Sequence, residues 1–138
     1  MNDVSCVFCK IVSGEIPSAK IYENEIVSAF LDIKPVNPGH ALVVPKKHYA
    51  NLYELPDEIL APFMRAARDI ARALKKELGA DGVNIEMNND RPAGQIVSHA
   101  HLHVIPRKTD DGLRHWPGKE ASEGEMKRIA DTLAKSLV

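Results

Sequence analysis

The sequence is poor in cysteine and in aromatic residues, and it has almost no net charge. Its 138 residues include two cysteines and 5% aromatics, and 18 basic side chains nearly balance 19 acidic ones. Without a basic excess, the chain lacks the electrostatic footprint of proteins that bind nucleic acid or anionic membranes. Because two cysteines cannot supply a disulfide framework, a hydrophobic core of ordinary size must stabilise the fold.

Long apolar runs are also missing. No segment approaches the ~18 apolar residues that a membrane span requires, and the first five residues lack the basic and apolar regions of a signal peptide. We therefore expect a cytoplasmic protein that does not enter membranes. The length fits a single domain over residues 1–138, without internal repeats or linkers.

The pattern of apolar residues predicts an α+β fold. Four short apolar segments are typical of strands: 21–23, 25–32, 40–44 and 83–88. Residues 57–78 repeat apolar side chains at helical spacing and are followed by Gly79, a residue suited to a left-handed helix end. A last helix is predicted from Ser122, with Glu125 completing a capping box. Because strands precede and follow the long helix and are joined by hairpins, we expect an antiparallel sheet.

Three histidines occupy every second position of an apolar run at residues 95–105. Successive side chains of a strand point to opposite faces, so the spacing predicts His99, His101 and His103 in one row. A core stripe would be aliphatic, because each buried imidazole needs a hydrogen-bond partner or costs about 1–3 kcal/mol. The row therefore indicates a reactive surface. Since its outer members would be ~13 Å apart, one metal ion could not bind all three.

The segment before the histidines contains two amides. Residues 89–94 are predicted to form a hairpin between strand 83–88 and the histidine strand. This hairpin would place Asn88 opposite Gln95, beside the row of imidazoles. Both amides are candidate site residues, although either could simply belong to the turn.

The two cysteines, Cys6 and Cys9, form a Cys-x-x-Cys pair. In a reducing compartment this spacing indicates either a redox pair or half of a zinc site. A redox pair usually follows a strand and opens a helix in a βαβ unit, and the first ten residues offer no such context. We therefore favour zinc.

Residues 99–105 match the signature His-φ-His-φ-His-φ-φ, where φ is apolar, and the chain closely resembles the histidine triad (HIT) family of nucleotide-binding proteins. Other stretches match family landmarks in family order: 8–11, 14–17, 29–33, 38–40, 42–48 and 94–95. The resemblance covers most of residues 6–107 and leaves 108–138 as a C-terminal tail and helix. It implies a HIT-like fold with about five antiparallel strands, a long central helix and a C-terminal helix, and it implies a homodimer.

The resemblance also implies a reaction. The substrates would be purine nucleotides substituted at the α-phosphate, and His101 would be the nucleophile that forms a covalent nucleotidyl-histidine. His103 would hold the phosphate and help to protonate the leaving group, with His40 beside the nucleophile. Asp32 would accept hydrogen bonds from the ribose hydroxyls.

Further binding residues follow from the same resemblance. Asn88 and Gln95 would contact the phosphate side. An apolar slot for the base is implied for Val7, Phe8, Ile11, Phe30, Ile33 and Leu42. Four residues would form a structural zinc site with one ion per chain and no organic cofactor: Cys6, Cys9, His48 and His99.

The chain departs from the family pattern at two positions. Ile96 replaces a hydroxyl residue that many relatives carry after the glutamine, so one possible phosphate contact is absent. Trp116 resembles a C-terminal tryptophan that reaches the partner subunit in some members, but residues near 109–111 look inserted before it.

We expect a nucleoside phosphoramidate hydrolase, and two alternatives stay open. One is a dinucleoside polyphosphate hydrolase, a branch that Pro106 and Arg107 resemble. The other is a zinc-stabilised nucleotide-binding module with little turnover. Nucleotidyl transfer to a sugar phosphate is disfavoured, because Ala100 stands where that signature has proline.

Overall fold

The computed structural model describes residues 3–137 and contains one five-stranded antiparallel sheet with helices. The helices are α1 (Val7–Val12), α2 (Asp57–Leu78) and α3 (Glu123–Leu137). The strands are β1 (Lys20–Glu23), β2 (Val27–Leu31), β3 (Ala41–Pro45), β4 (Gly82–Glu86) and β5 (Leu102–Arg107), in the order β1-β2-β3-β5-β4. Two 3-10 turns span Leu52–Glu54 and Arg91–Ala93. The predicted α+β class with five antiparallel strands is confirmed.

The long helix α2 has the predicted bounds. Gly79 ends it in the left-handed region, with φ of +64°, and its N–H donates to the carbonyl of Leu74. At its start, Pro56 is the N-cap and Asp57 is the first helical residue. Several of its apolar residues lie outside the buried face, since Leu60, Met64 and Leu78 are exposed. Within the described residues, no helix is long and apolar enough to cross a membrane.

The sheet has a packed cluster on each face. Alternation along β3 sends Ala41 and Val43 into the larger core with α2, and Leu42 and Val44 into a smaller cluster on the opposite face. The smaller cluster also contains both cysteines and two aromatic rings: Cys6, Cys9, Phe8 and Phe30. Helix α1 therefore covers the face of the sheet away from α2.

The predicted histidine strand is wrong in its first half. Strand β5 begins only at Leu102, so His99 and His101 precede it in irregular backbone. The ladder to β3 begins at Val43 and Leu102, and Ala100 N–H instead donates to the carbonyl of Tyr49 at 2.7 Å. The chain bends at residues 97–99, and the apolar residues that alternate with the histidines still enter the main core: Ala100, Leu102 and Val104.

The predicted antiparallel pairing of strand 83–88 with the histidine strand is confirmed by β4 and β5, but the tight turn at 89–94 is wrong. The connection from β4 to β5 runs from Glu86 to Leu102 and contains the second 3-10 turn. Gln95 does not pair across a strand with Asn88. Its side chain instead bonds within the connection and to residue Ala50, as described below.

Candidate active site and metal centre

His101 is buried and has a hydrogen bond that fixes its tautomer. Its Nδ1 lies 2.7 Å from the carbonyl oxygen of His99. Because a carbonyl can only accept, we assign the ring proton to Nδ1, which leaves the lone pair on Nε2. Burial lowers the pKa of His101 and favours the neutral ring. The result is an imidazole whose Nε2 is available as a nucleophile.

Phe8 packs against this ring. The centroids of Phe8 and His101 are 5.1 Å apart with an interplanar angle of 84°, and Phe30 meets Phe8 at 5.6 Å. Such edge-to-face contacts are favourable and directional. Phe8, which the resemblance places in the base slot, therefore also holds the orientation of His101.

His40 and His103 form a second hydrogen-bonded unit. The N–H of Val36 donates to Nδ1 of His40 at 3.0 Å, so a neutral His40 carries its proton on Nε2. This Nε2–H donates to Nδ1 of His103 at 2.9 Å, which leaves the His103 proton on Nε2. Burial lowers the pKa of both rings. The ring centroids of His101 and His103 are 5.0 Å apart, so the three histidines share one site.

Asp32 lies at the edge of the same cluster. Its Oδ2 is 3.6 Å from Nε2 of His40, and its Oδ1 accepts the N–H of Lys34 at 2.8 Å. The carboxylate partly offsets the effect of burial on the pKa of His40. Asp32 therefore adds one acidic group to the cluster of His40, His101 and His103.

A separate group of four side chains can hold a metal ion: Cys6, Cys9, His48 and His99. Their candidate ligand atoms all lie within 4.8 Å of one another, with Sγ of Cys6 at 3.3 Å from Nδ1 of His99. Sγ of Cys9 lies at the same 3.3 Å from Nδ1 of His48. The start of α1 supplies both sulfur atoms.

The tautomer of His99 also fits metal binding. Its Nε2 lies 2.8 Å from the carbonyl oxygen of Pro45, so Nε2 carries the proton and Nδ1 offers its lone pair to the sulfurs. Two thiolates and two imidazoles with no open position are the donor set of a structural zinc ion. The residues present fit that metal.

Asp32, His40 and His103 also bring possible ligand atoms within 4.8 Å of one another. Their hydrogen bonds oppose metal binding, because Nε2 of His40 carries the proton that it donates to His103. To free that lone pair, the proton would have to move to Nδ1, where the Val36 N–H already points. His99 and His40 thus both carry the proton on Nε2, but only in His99 does the lone pair on Nδ1 face the other candidate ligands, because Nδ1 of His40 already accepts the Val36 N–H.

Gln95 is buried and uses its amide inside the protein. Its Nε2 donates to the carbonyls of Ala50 at 2.6 Å and Val97 at 3.0 Å, and its Oε1 accepts the N–H of Asp90 at 2.8 Å. Both N–H groups are therefore occupied in this structure. Asn88 is half-buried, and its amide lies against Gly94, whose φ of +97° needs a residue without a Cβ.

The residues of the predicted base slot differ in exposure. Phe8, Phe30 and Leu42 are buried in the smaller cluster, with Ile11 packed partly against it. Ile33 is 93% exposed and Val7 is also exposed, so the slot would have an open side.

The groups that sequence reasoning missed belong to the backbone. The carbonyls of Pro45 and His99 and the N–H of Val36 select the tautomers of three histidines. Every residue has a carbonyl, so residue type carries no signal for this role.

Acidification is expected to destabilise the protein between about pH 6.5 and pH 4. Burial lowers the pKa of His40, His101 and His103, and it lowers that of His99 to about 4. The unfolded chain binds protons near the ordinary pKa of ~6.5 and the folded chain only at lower pH. In this window the unfolded state therefore holds more protons, and each buried group contributes up to ~1.4 kcal/mol per pH unit.

Urea unfolding at a series of pH values measures this slope. Protons also compete with a metal for its ligands, so bound zinc would act in the same direction. His115 is exposed, and His115→Ala should leave the slope unchanged. A stability that stays constant from about pH 7 to pH 5 would contradict the burial of these rings in neutral form.

Residues 13–110 match the HIT domain, and the chain therefore belongs to the HIT family. The chain is 44% identical to Protein hit from Bacillus subtilis over 137 residues, an alignment that covers 96% of this chain and 94% of that protein. It is 39% identical to adenosine 5'-monophosphoramidase hnt1 from Schizosaccharomyces pombe over 136 residues, which cover 97% and 99%.

Solved structures share the architecture. SMU.412c from Streptococcus mutans superposes with a TM-score of 0.93 at 40% identity, over 99% of this chain and 88% of that one. A zinc-bound histidine triad family protein from Mycobacterium smegmatis superposes with a TM-score of 0.77 at 42% identity, over 97% and 98%. The HIT-like fold predicted from the sequence is thus confirmed.

Proposed function

We propose that this chain is a nucleotide hydrolase that cleaves purine nucleoside phosphoramidates at the α-phosphate. The observation that carries the proposal is the presentation of Nε2 of a neutral, buried His101 beside His103. Relatives of similar length that are named adenosine 5'-monophosphoramidase support the choice of substrate class.

In the first step, Nε2 of His101 attacks the α-phosphorus and the bond from phosphorus to the leaving nitrogen breaks. The ring keeps its Nδ1 proton on the carbonyl of His99, so the positive charge of the nucleotidylated ring is stabilised there. The product is a covalent nucleotidyl-histidine, which divides one difficult displacement into two easier ones. Water then attacks the phosphorus, the bond to Nε2 breaks, and the nucleoside monophosphate leaves.

The hydrogen bonds define what His103 does in this reaction. Nδ1 of His103 accepts the Nε2–H of His40. A second ring proton, placed on this Nδ1, would therefore point at another N–H group. His103 thus works as a neutral donor whose Nε2–H stabilises charge on the phosphoryl group. The proton that the leaving nitrogen gains enters from solvent and returns to solvent in the second step. In this proposal His103 binds the phosphoryl group but does not protonate the leaving group, which differs from the role implied by the resemblance.

Other residues have binding roles in this proposal. Asp32 accepts hydrogen bonds from the ribose hydroxyls, and the half-buried slot with Phe30 and Leu42 contacts the base. Gln95 acts by positioning the connection that carries the histidines, because its amide is fully used there. Asn88 keeps its expected contact on the phosphate side.

We also propose that Cys6, Cys9, His48 and His99 bind one structural zinc ion. The fit of the four donors and the zinc-bound relative support this assignment. Zinc would tie α1 to the segment that carries the nucleophile, since His99 stands two residues before His101. A cytoplasmic location and the homodimer remain predictions.

The proposal is tested by comparing kcat/KM for an adenosine 5'-phosphoramidate and for a diadenosine polyphosphate. We expect the phosphoramidate to be the better substrate by at least ~10-fold, a difference of ~1.4 kcal/mol in transition-state binding. A preference for the polyphosphate would favour the alternative hydrolase. Tight binding of AMP without turnover of either compound would instead indicate a binding module.

A further inference from the structure

The loop that precedes β3 ends in a tight turn over residues 37–40. The N–H of His40 donates to the carbonyl of Asn37 at 3.0 Å, and Gly39 has a φ of +100°. Proline at the second position of a turn and glycine with a positive φ at the third are the signature of a type II turn. The N–H of Val36, one residue before the turn, donates to Nδ1 of His40. The turn therefore orients the N–H group that fixes the tautomer of His40.

The side chain of Asn37 anchors this turn to the end of strand β5. Its Nδ2 donates to the carbonyl of Pro106 at 2.9 Å and to Oδ2 of Asp111 at 3.1 Å. Both amide protons thus bind partners that are 69 and 74 residues away in sequence. Within the described part of the chain, no other hydrogen bond joins residues 33–39 to a different element. The Asn37 amide is therefore the polar anchor of the loop.

Asp111, the charged partner of this anchor, is itself held in place. Arg107 donates to both of its carboxylate oxygens, from Nε at 2.7 Å and from Nη2 at 2.9 Å. The N–H groups of Lys108 and Leu113 add one bond of 3.1 Å to each oxygen. The hydrogen bond from Arg107 holds the pKa of Asp111 well below its usual range, and the Asp111 side chain is only 8% exposed. Asn37 therefore binds an ionised acceptor in a fixed position, which gives a stronger bond than a neutral acceptor.

We propose that Asn37 is a positioning residue for the reaction, an inference that rests on the proposed hydrolysis. It acts through His40, because the anchored turn keeps the Val36 N–H on Nδ1 of His40 and so directs Nε2–H to His103. His103 then presents its own Nε2–H to the phosphoryl group, where charge develops in the transition state. Without the anchor the turn would shift, and this order of protons would be lost although every group that touches the substrate is still present.

NMR of the histidine ring nitrogens in the full, zinc-loaded chain tests the positioning without any substrate. In the unaltered protein we expect His40 and His103 each to show one protonated nitrogen and one lone-pair nitrogen. Asn37→Ala should give averaged nitrogen shifts for His40, because both tautomers become populated. Averaged shifts already in the unaltered protein would overturn the proposal. Unchanged shifts in Asn37→Ala would also overturn it and leave the close packing of Gly39 on Leu78 as the contact that holds the turn.

Asn84→Ala is the matched control. Asn84 is also half-buried, and its Oδ1 accepts a hydrogen bond from Nη1 of Arg107 at 2.8 Å, but it does not bind the turn. Its replacement should leave the His40 shifts unchanged, and equal changes in the two variants would refute a specific role of Asn37. If Asn37→Ala does not fold by circular dichroism, Asn37→Ser takes its place, because serine suits the first position of the turn but is too short to reach both partners.

Steady-state kinetics connect the positioning to the reaction. For an adenosine 5'-phosphoramidate we expect Asn37→Ala to lower kcat ~10-fold or more and to keep KM within ~2-fold, because the binding groups remain and only their alignment is lost. Asn84→Ala should keep both constants. An unchanged kcat in Asn37→Ala, with or without a raised KM, would overturn the role of Asn37 in the reaction. Absence of turnover in the unaltered protein would instead refute the proposed hydrolysis, and the NMR comparison would still decide whether Asn37 fixes the tautomer of His40.

Discussion

Replacing His101 with alanine is expected to reduce phosphoramidate hydrolysis by at least ~10⁴-fold, because the variant lacks the nitrogen that we propose attacks phosphorus. The buried ring contributes its Nε2 lone pair only as long as Nδ1–H is held by the carbonyl of His99. No neighbouring group reproduces this arrangement, since His103 has its lone-pair nitrogen turned to His40. Single-turnover kinetics on an adenosine 5'-phosphoramidate measure the loss.

Two further measurements separate loss of the nucleophile from loss of the fold. His101→Ala should still bind AMP, and its circular dichroism should match that of the unaltered protein. Mass spectrometry of acid-quenched reactions should find the nucleotidyl group on the peptide with His101, and His115→Ala should retain both adduct and turnover. Residual activity within tenfold of the unaltered enzyme, or an adduct on His103, would show that a different nitrogen attacks.

The roles of the histidines follow from backbone geometry more than from their spacing. Alternation in the sequence correctly separates the histidines from Ala100 and Leu102, which enter the main core. It does not show where the hydrogen-bonded strand begins, because a strand needs neighbouring strands to bond with. Strand β5 starts only where β3 and β4 provide neighbours, at Leu102 and His103.

Local signals predicted α2 well for a physical reason. Its 22 residues carry a long periodic pattern, and Gly79 supplies a left-handed end that few other residues adopt without strain. The connection between β4 and β5 offers no comparable signal. Its shape depends on Gln95 reaching the carbonyl of Ala50, a contact 45 residues away in sequence. Such long-range bonds to main-chain atoms leave no local pattern.

The four candidate metal ligands show the same difference between local and long-range signals. The Cys-x-x-Cys spacing pointed to zinc from local sequence, because both sulfurs fall at the start of one short helix. The choice of His48 and His99 as partners came from resemblance, since they lie 39 and 90 residues from Cys9. No sequence pattern predicts that the carbonyl of Pro45 orients His99.

Loss of the metal site is expected to destabilise the protein by roughly 3–5 kcal/mol, which is less than the ~10–16 kcal/mol that zinc supplies to small zinc-finger peptides. We expect a smaller loss of stability than in zinc fingers, because the main core with α2 lies on the other face of the sheet and does not involve α1. Cys9→Ala and His48→Ala each remove one ligand and should abolish stoichiometric zinc. Metal analysis and urea unfolding measure the two effects, with about one zinc per chain expected in the unaltered protein.

His40→Ala is the matched control, because it removes a buried histidine from the neighbouring cluster, whose tautomers oppose metal binding. It should keep full zinc content, whereas His48→Ala should lose it. Equal zinc in His48→Ala and the unaltered protein would refute the four-residue site. Loss of zinc in His40→Ala would instead place the metal among Asp32, His40 and His103, and it would show that the Val36 N–H does not fix the tautomer of His40.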